Sequence, residues 1–400
     1  MPTTITHADG VEMRVGGTSD DITPFVRRFV WVESLIRGGF FWEMDFLANV
    51  WGEWTPLLIG RRPYQFRLKS QEEGQETTTD WRTAITDSSA MSFRGEALLG
   101  TVHGGDRRLG LRQKHRTKVW RQRTVSDIVR AVASEYGMVG RADDTSLRYD
   151  WCQVAETDWG FLQRIVYESA TAGGRGDLFL WVEEDVLKLH APLLQDASVR
   201  RHDLSVAENR VDNVLLTYAG REVDRQGGAT IRAVGYDLDA KRAVTFTLGA
   251  PQAQTHPALA GRVPRAQEDG VRVFPVTGRS PASVEAHARG RWGRFAPRYF
   301  GLRVESRPDL VLRPGTVMEL QATLGEDQET PFLGRFLILE VEHEYARGSI
   351  KTNAICYRRE AFVGEEEPSG VSAENVRSRD RYRAGALNRP RVTVVAEELE

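Results

Sequence analysis

The sequence predicts an α+β protein that is mainly β, with two strand-rich regions flanking a short helical unit. Three observations carry that reading. Through the first 120 residues, β-branched and aromatic runs recur between glycine punctuation. At Thr124 the apolar period changes from two to about 3.6 residues. From Val211 the chain returns to strands.

In order, the run from Asp21 to Ile36 leads into Phe40–Phe46 and then Trp54–Ile59, with Gly38, Gly39 and Gly60 between them. Ser89–Val102 reads as a further strand pair, and short strands at this spacing predict a small barrel or sandwich. Val125, Ile128, Val129, Val132, Ala133 and Tyr136 then line one helix face. Thr124 and Asp127 form a capping-box pattern ahead of it, and Gly137 is placed to end it. A second helix opens at Thr157, with Phe161, Leu162, Ile165 and Val166 as its stripe and Asp158 near its positive end. The hairpin Leu178–Val182, Glu183-Glu184-Asp185, Val186–His190 completes a compact α+β unit.

Strands resume at Val211–Tyr218 and Ala229–Tyr236, and residues 250–280 read as loop. Ser280-Pro281 is a helix start, with Val284, Ala288 and Trp292 as a weak apolar face. A β run follows at Leu310–Gly315, Val317–Leu320, Phe336–His343 and Ile350–Tyr357, and Pro314-Gly315 marks a turn. Beyond Gly364 the charged stretches read as a solvated tail, with Arg391–Val395 as one last strand. Two β regions on either side of one insert hint at duplication.

Composition excludes several classes. With 40% hydrophobic and 28% charged residues the chain is not a disordered one. Lys plus Arg is 54 against 56 for Asp plus Glu, a formal charge of −2, which argues against bulk attraction to nucleic acid or an anionic membrane. Cys152 and Cys356 fit neither a disulfide framework nor a four-cysteine zinc site, and two reduced, buried thiols are expected. No apolar run is long enough for a membrane helix. Met1–Gly10 lacks the pattern of a secretory signal, so synthesis in a cytoplasm is expected.

The search for chemistry is mostly negative. No phosphate-binding P-loop or nucleophile elbow is present, and Gly174-Arg175-Gly176 lacks the third glycine of a dinucleotide fingerprint. His343-Glu344 would need a second histidine where Arg347 stands, which rejects a zinc peptidase. The eight histidines are scattered singly. Asp237 and Asp239 form a carboxylate pair, but Lys241 and Arg242 beside them favour a solvated turn. No catalytic, cofactor or metal set is expected. One charge run stands out, from Arg107 to Arg123 with no acidic residue in it. With Trp120 it could track phosphates. The favoured reading is a solvated or subunit-facing strand that meets acidic segments of a neighbour. Arg107, Arg108, Arg112, Lys114, Arg116 and Lys118 are accordingly the candidate subunit- or partner-contact residues.

The stretch Trp151-Cys-Gln-Val-Ala-Glu-Thr-Asp-Trp-Gly-Phe-Leu-Gln-Arg-Ile, leading to the Leu178–Leu189 hairpin, resembles a segment of phage late control protein D and related contractile-tail baseplate hub proteins. The hub portion of type VI secretion spike proteins carries a similar segment. Thr124–Ala133 resembles the preceding helix of those proteins. Leu310–Leu320, Gly334–Tyr345 and Thr352–Arg358 resemble their second barrel.

That resemblance, over about residues 20–362, implies two tail-tube-like β-barrel domains joined by α+β inserts. As a homotrimer they would form a pseudo-sixfold ring, a symmetry adaptor between a sixfold tail tube and a threefold spike. The implied domains are 1–119 (first tube-like domain), 120–200 (two helices and a hairpin), 201–248 with 300–362 (second tube-like domain), 249–299 (loop and helix insert) and 363–400 (charged tail). The implied partners are the tail tube or a tube-initiator protein, the spike and other baseplate proteins. Specific nucleic-acid recognition and stable membrane insertion are not implied, nor is a cofactor. The implied location is the tail baseplate of a virion, after assembly in the host cytoplasm. No repetitive β-helix follows residue 362, so the needle is expected to be a separate protein. The alternative is a tail-associated, envelope-acting hydrolase or carbohydrate-binding module, prompted by ten tryptophans and the Asp237/Asp239 pair.

Overall fold

The computed structural model describes residues 9–15, 22–48, 63–72, 75–94, 97–172, 178–191, 199–203, 211–218, 230–237, 239–249, 271–275, 280–295, 300–306, 308–321, 334–358 and 392–395. The first region holds β1 (Gly10–Val15), β2 (Val26–Ser34), β3 (Gly39–Ala48), β4 (Tyr64–Glu72), β5 (Gln75–Thr78), β6 (Arg82–Arg94) and β7 (Ala97–Gly105). Alternation drives several of them: Val11 and Met13 of β1, and Tyr64, Phe66 and Leu68 of β4, turn inward between polar neighbours. The run predicted from Asp21 becomes a strand only at Val26. Pro24 sits in a short 3-10 turn, Thr23–Phe25, that precedes it. The Trp54–Ile59 prediction lies outside the described residues.

The insert follows as α1 (Arg108–Gln113), β8 (His115–Arg123), α2 (Val125–Glu135), β9 (Val139–Ala142), β10 (Tyr149–Thr157), α3 (Asp158–Tyr167), β11 (Phe179–Glu183) and β12 (Val186–His190). The remainder is β13 (Val199–Asp203), β14 (Val211–Tyr218), β15 (Thr230–Asp237), β16 (Arg242–Gly249), β17 (Val271–Pro275), α4 (Pro281–Phe295), β18 (Phe300–Ser306), β19 (Val317–Gln321), β20 (Gly334–Ala346), β21 (Ser349–Arg358) and β22 (Val392–Val395).

The two strand-rich regions share one sheet. Its central path runs β6-β7-β3-β2-β20-β21-β18-β14, antiparallel at every step. In the first half, the hairpin β2–β3 is followed across the sheet by β7 and then β6. The second half repeats this path as the hairpin β20–β21, then β18, then β14. The chain enters the second half at the other end, so β14 and β18 precede the hairpin in sequence. The halves meet where β2 pairs β20 from Arg28↔Ala346 to Ser34↔Glu340. A local twofold relation therefore passes through the central pair, Trp31↔His343.

Over the first half lies a second layer made of β1, β4 and β5. β6 belongs to both layers: Arg82–Ala84 pair with β4, and Ile85–Arg94 pair with β7 after a register shift between Thr86 and Ser88. The space between the layers is filled by Phe29, Trp31, Trp42, Met44, Tyr64, Phe66 and Leu68. This is a sandwich, and among the described residues no barrel closes.

The insert has its own core around Ile128, Val132, Trp151, Phe161, Leu162, Ile165, Leu180 and Leu187. Both predicted helices form on the predicted faces. Thr124 and Asp127 make a reciprocal capping box, and Gly137 takes φ +66° past the end of α2. Leu111 of α1 and Trp120 of β8 belong to this core, and among the described residues β8 pairs only with β10. Leu111, which precedes residue 120, thus packs with the helices and hairpin of the insert. A strand's own alternation does not say which sheet it joins.

Two further differences have physical causes. The Leu310–Gly315 run forms a turn, because Arg313 folds back and its guanidinium donates to the carbonyls of Leu310 and Leu312. β15 and β16 lie in a separate sheet, β17-β15-β16-β22, covered by α4 through Ala233, Val244, Phe246, Val284 and Ala288. Residues 230–248 therefore pack with the helix of the second insert, apart from the large sheet.

Candidate assembly interface

Arg107 opens the basic run at the exit of β7, paired with Asp185 at the tip of the β11–β12 hairpin at 2.8 Å. Arg108 is fully buried. Its guanidinium donates to the carbonyls of Arg37 and Phe40 and lies over the rings of Phe41 (4.4 Å) and Trp159 (5.4 Å). Asp106, also buried, accepts from the backbone N–H of Phe40 at 2.7 Å and of Arg108 at 2.8 Å. Burial pushes the Asp106 carboxyl up to about 6, against the pull of Arg108 and the two backbone donors. Gly38 completes the joint with φ +78°. A Cβ there would fall 2.4 Å from the Trp159 ring, so the β2–β3 turn and α3 can meet this closely only at glycine.

Arg116 and Lys118 turn inward from β8. Arg116 Nε donates to Asp158 Oδ2 at 2.8 Å, its Nη1 pairs with Glu135, and Tyr136 donates to the same Asp158 oxygen at 2.6 Å. Burial opposes the Arg116 charge, but these bonds outweigh it and raise the pKa. Lys118 pairs with Glu135 at 3.0 Å and sits 3.7 Å from the centre of the Trp120 ring. The acidic partners that were expected from a neighbour are thus supplied, for these two cations, by the same chain. Arg112 and Lys114 are exposed and make no side-chain hydrogen bond or ion pair among the described residues. The run is not one patch: part is structural and part faces solvent.

A second charged cluster was not anticipated from the sequence. It gathers three parts of the chain around Trp31. Arg82 and Arg313 lie over that ring at 5.5 and 5.3 Å. Arg82 pairs with Glu184 of the hairpin at 2.5 Å, and Arg313 approaches buried Glu33 of β2 at 3.7 Å. Burial drives the Glu33 carboxyl up, while Arg313 and Arg82 pull it down. A cavity of about 10 Å³, room for about one water, is bounded here by Glu33, Ser34, Gly39, Trp181, Val182, Glu183, Arg313 and Pro314. First sheet half, second half and insert are clamped together at this point.

The residues considered for catalysis serve structural roles. Asp237 Oδ1 accepts from the backbone N–H of Asp239 and Ala240, both at 3.0 Å, so the carboxylate caps a turn. His343 lies in β20, buried, with Nδ1 3.0 Å from Thr352 Oγ1, and burial and Arg313 hold its pKa down at about 3. Cys356 is buried as expected, whereas Cys152 is exposed on β10. Gly174–Gly176 lies outside the described residues. Among the described residues no cluster of His, Cys, Asp or Glu could hold a metal, and no helix is long and apolar enough to cross a membrane.

The central sheet path ends in two strands with an open side. The Ser88–Arg94 part of β6 pairs only with β7, and β14 pairs only with β18, among the described residues. The exposed side chains Asp87, Ser88, Ser89, Ala90 and Ser92 contain neither lysine nor proline, the usual guards of a solvent-facing edge.

Comparison with known proteins gives the following. The family model described as Phage tail baseplate hub (GPD) matches residues 101–349. Among solved structures, a tail protein from Neisseria meningitidis MC58 superposes with a TM-score of 0.62 at 13% identity, covering 88% of this chain and 97% of that one. The 43 kDa tail protein of prophage MuSo2 from Shewanella oneidensis gives 0.58 at 13% identity, with 88% and 99% covered. The E. coli c3393 protein, described as a component of the type VI secretion system, gives 0.52 at 14% identity, with 90% and 81% covered. At such identities the likeness is one of fold. No curated protein sequence matches.

Proposed function

The chain belongs to the phage tail baseplate hub family, and from that membership we infer that three copies assemble into a ring adapting the sixfold tail tube to the threefold spike. The hub role itself is structural, and its place is the tail of the virion. The observation that carries the trimeric reading is the repeated pairing path, which gives one chain two four-stranded sets related across Trp31 and His343. Three chains then present six similar sets, the number a sixfold tube requires.

Closure follows from the open strands. An eight-stranded arc whose end strands β6 and β14 have an open side among the described residues can continue into its neighbours by pairing β6 of one subunit with β14 of the next. The insert stands outside this wall, held by Asp106, Arg108 and the Trp31 clamp. Tube and spike proteins are the partners at the two rims, and the ring forms in the host cytoplasm before joining the tail. The envelope-acting alternative loses its motive, since Asp237 caps a turn and Trp31, Trp42, Trp151 and Trp159 are core residues.

Sedimentation of the purified protein together with class-averaged images tests this. The expected result is a threefold particle with a six-lobed inner wall. A monomer at every concentration, with no binding to tube or spike proteins, overturns it.

A further inference from the structure

We propose that the joint between neighbouring subunits repeats, residue for residue, the joint that β2 and β20 make within one chain. β14 of one copy then pairs β6 of the next, from Asn213 opposite Arg94 to Tyr218 opposite Ser89. The inference rests on the ring reading and goes beyond it by fixing which residues meet.

Besides the twofold at the seam, the two strand sets are related in chain order. Taken as they occur in the sequence, β2, β3, β6 and β7 correspond to β14, β18, β20 and β21. In each set the first strand pairs the second, the second pairs the fourth, and the fourth pairs the third. The irregularities match as well. The β6–β7 ladder shifts register at Asp87, between Thr86 and Ser88, and the β20–β21 ladder at Leu339, between Ile338 and Glu340. β6 starts five residues before its shift and ends seven after it, and β20 does the same. From these two points the ladders lead independently to β2 and β14. Ser88, His103, Glu43 and Val30 are successive partners in one set, and Glu340, Ile355, Arg303 and Leu215 in the other. Three residues before Val30 and before Leu215 stand Arg27 and Asp212, where the β2–β3 and β14–β18 ladders each shift register. Two shifts on different strands thus agree on one alignment.

Under that alignment the open strands complement each other. Within the chain, β2 covers Glu340–Ala346 of β20. The equivalent stretch of β6 is Ser88–Arg94, which pairs only with β7 among the described residues. The strand equivalent to β2 is β14, whose other side is likewise open there. Carrying the Trp31↔His343 register across sets Leu216 opposite Met91, Val214 opposite Phe93 and Thr217 opposite Ala90. A slip of one residue sets Val214 and Leu216 opposite Arg94 and Ser92, or opposite Ser92 and Ala90, and forfeits both apolar pairings. The contact is head-to-tail, the kind that closes into a ring when the same step recurs. The occupant of each open strand is therefore a second copy of this chain.

Cysteine pairs read the register. The background is full-length protein carrying Cys152→Ser, which leaves only buried Cys356. Two matched pairs are introduced, Thr217→Cys with Ala90→Cys and Tyr218→Cys with Ser89→Cys. Consecutive positions sample both kinds of site in an antiparallel ladder. Thr217→Cys with Ser92→Cys, displaced along the strand, is the control, because diagonal neighbours lie about 7–8 Å apart, beyond disulfide reach. On mild oxidation the better matched pair is expected to give covalent trimer at least about tenfold faster than the control. A control as fast as the matched pairs overturns the proposal, and so does a threefold particle in which neither matched pair links. A monomer at every concentration, in native and variant protein alike, refutes the ring and this inference with it. The first two outcomes leave the ring standing, so the two readings fail separately.

Discussion

Trp31 of β2 and His343 of β20 stand opposite one another at the centre of the seam that joins the two sheet halves, with ring centroids 5.2 Å apart. The indole is also flanked by Arg82 and Arg313, so this pair lies beside the contacts that join the two sheet halves to the insert.

The seam carries a pH dependence of known sign. His343 titrates at about 3 when folded, against an ordinary 6.5, so the unfolded chain binds its proton first as pH falls. The imidazole's contribution is fully present above about pH 6.5 and is lost on descending toward pH 3, on the order of 1 kcal/mol per pH unit. His343→Gln should flatten urea midpoints compared at pH 7.5 and pH 5. Subtracting variant from native protein isolates this group from Asp106, whose raised carboxyl acts in the opposite direction. Identical slopes in the two proteins would refute the assignment.

Arg108→Met leaves Asp106 buried without its cation, at a cost of about 3–5 kcal/mol in denaturant unfolding. Adding Asp106→Asn should return part of that loss, because the stranded charge is removed. Strictly additive losses would show that the two side chains do not act as a pair.

Thr124→Ala removes a capping oxygen 3.1 Å from the Asp127 N–H and should cost about 1 kcal/mol, with Thr124→Ser close to native. Hydrogen exchange should report the loss in the first turn of α2. An unchanged exchange pattern there would mean that the cap contributes nothing.

Ala90→Lys with Ser92→Lys places two charges on the open side of β6. Sedimentation should show association weakened at least about tenfold, with the monomer's circular dichroism unchanged. A trimer of native strength would show that β6 is not a subunit joint.

Much of the local structure was legible because its causes are local. The capping box at Thr124, the stripe Phe161–Val166 and the acidic hairpin turn all follow from periodicity or turn chemistry within a few residues. Leu310–Leu312 was misread because an apolar run fits a strand or a buried turn equally well, and Arg313 decided between them. The candidate contacts were the least legible. Arg108, Arg112, Arg116 and Lys118 are equivalent as letters, yet one is buried under Trp159, one faces solvent, and two are neutralised by Glu135 or Asp158.

What the sequence determined alone was the order of strand and helix, the faces they bury, and a set of ordered motifs shared with baseplate hubs. Tertiary structure decided which strands became neighbours. The pairing of β2 with β20, the transfer of β8 into the insert and the burial of Arg108 each join residues far apart in the chain. Alternation sets the inward face of a strand but is indifferent to the partner at its edge. Partner choice rests on packing and charge compensation among residues that sequence spacing does not bring together.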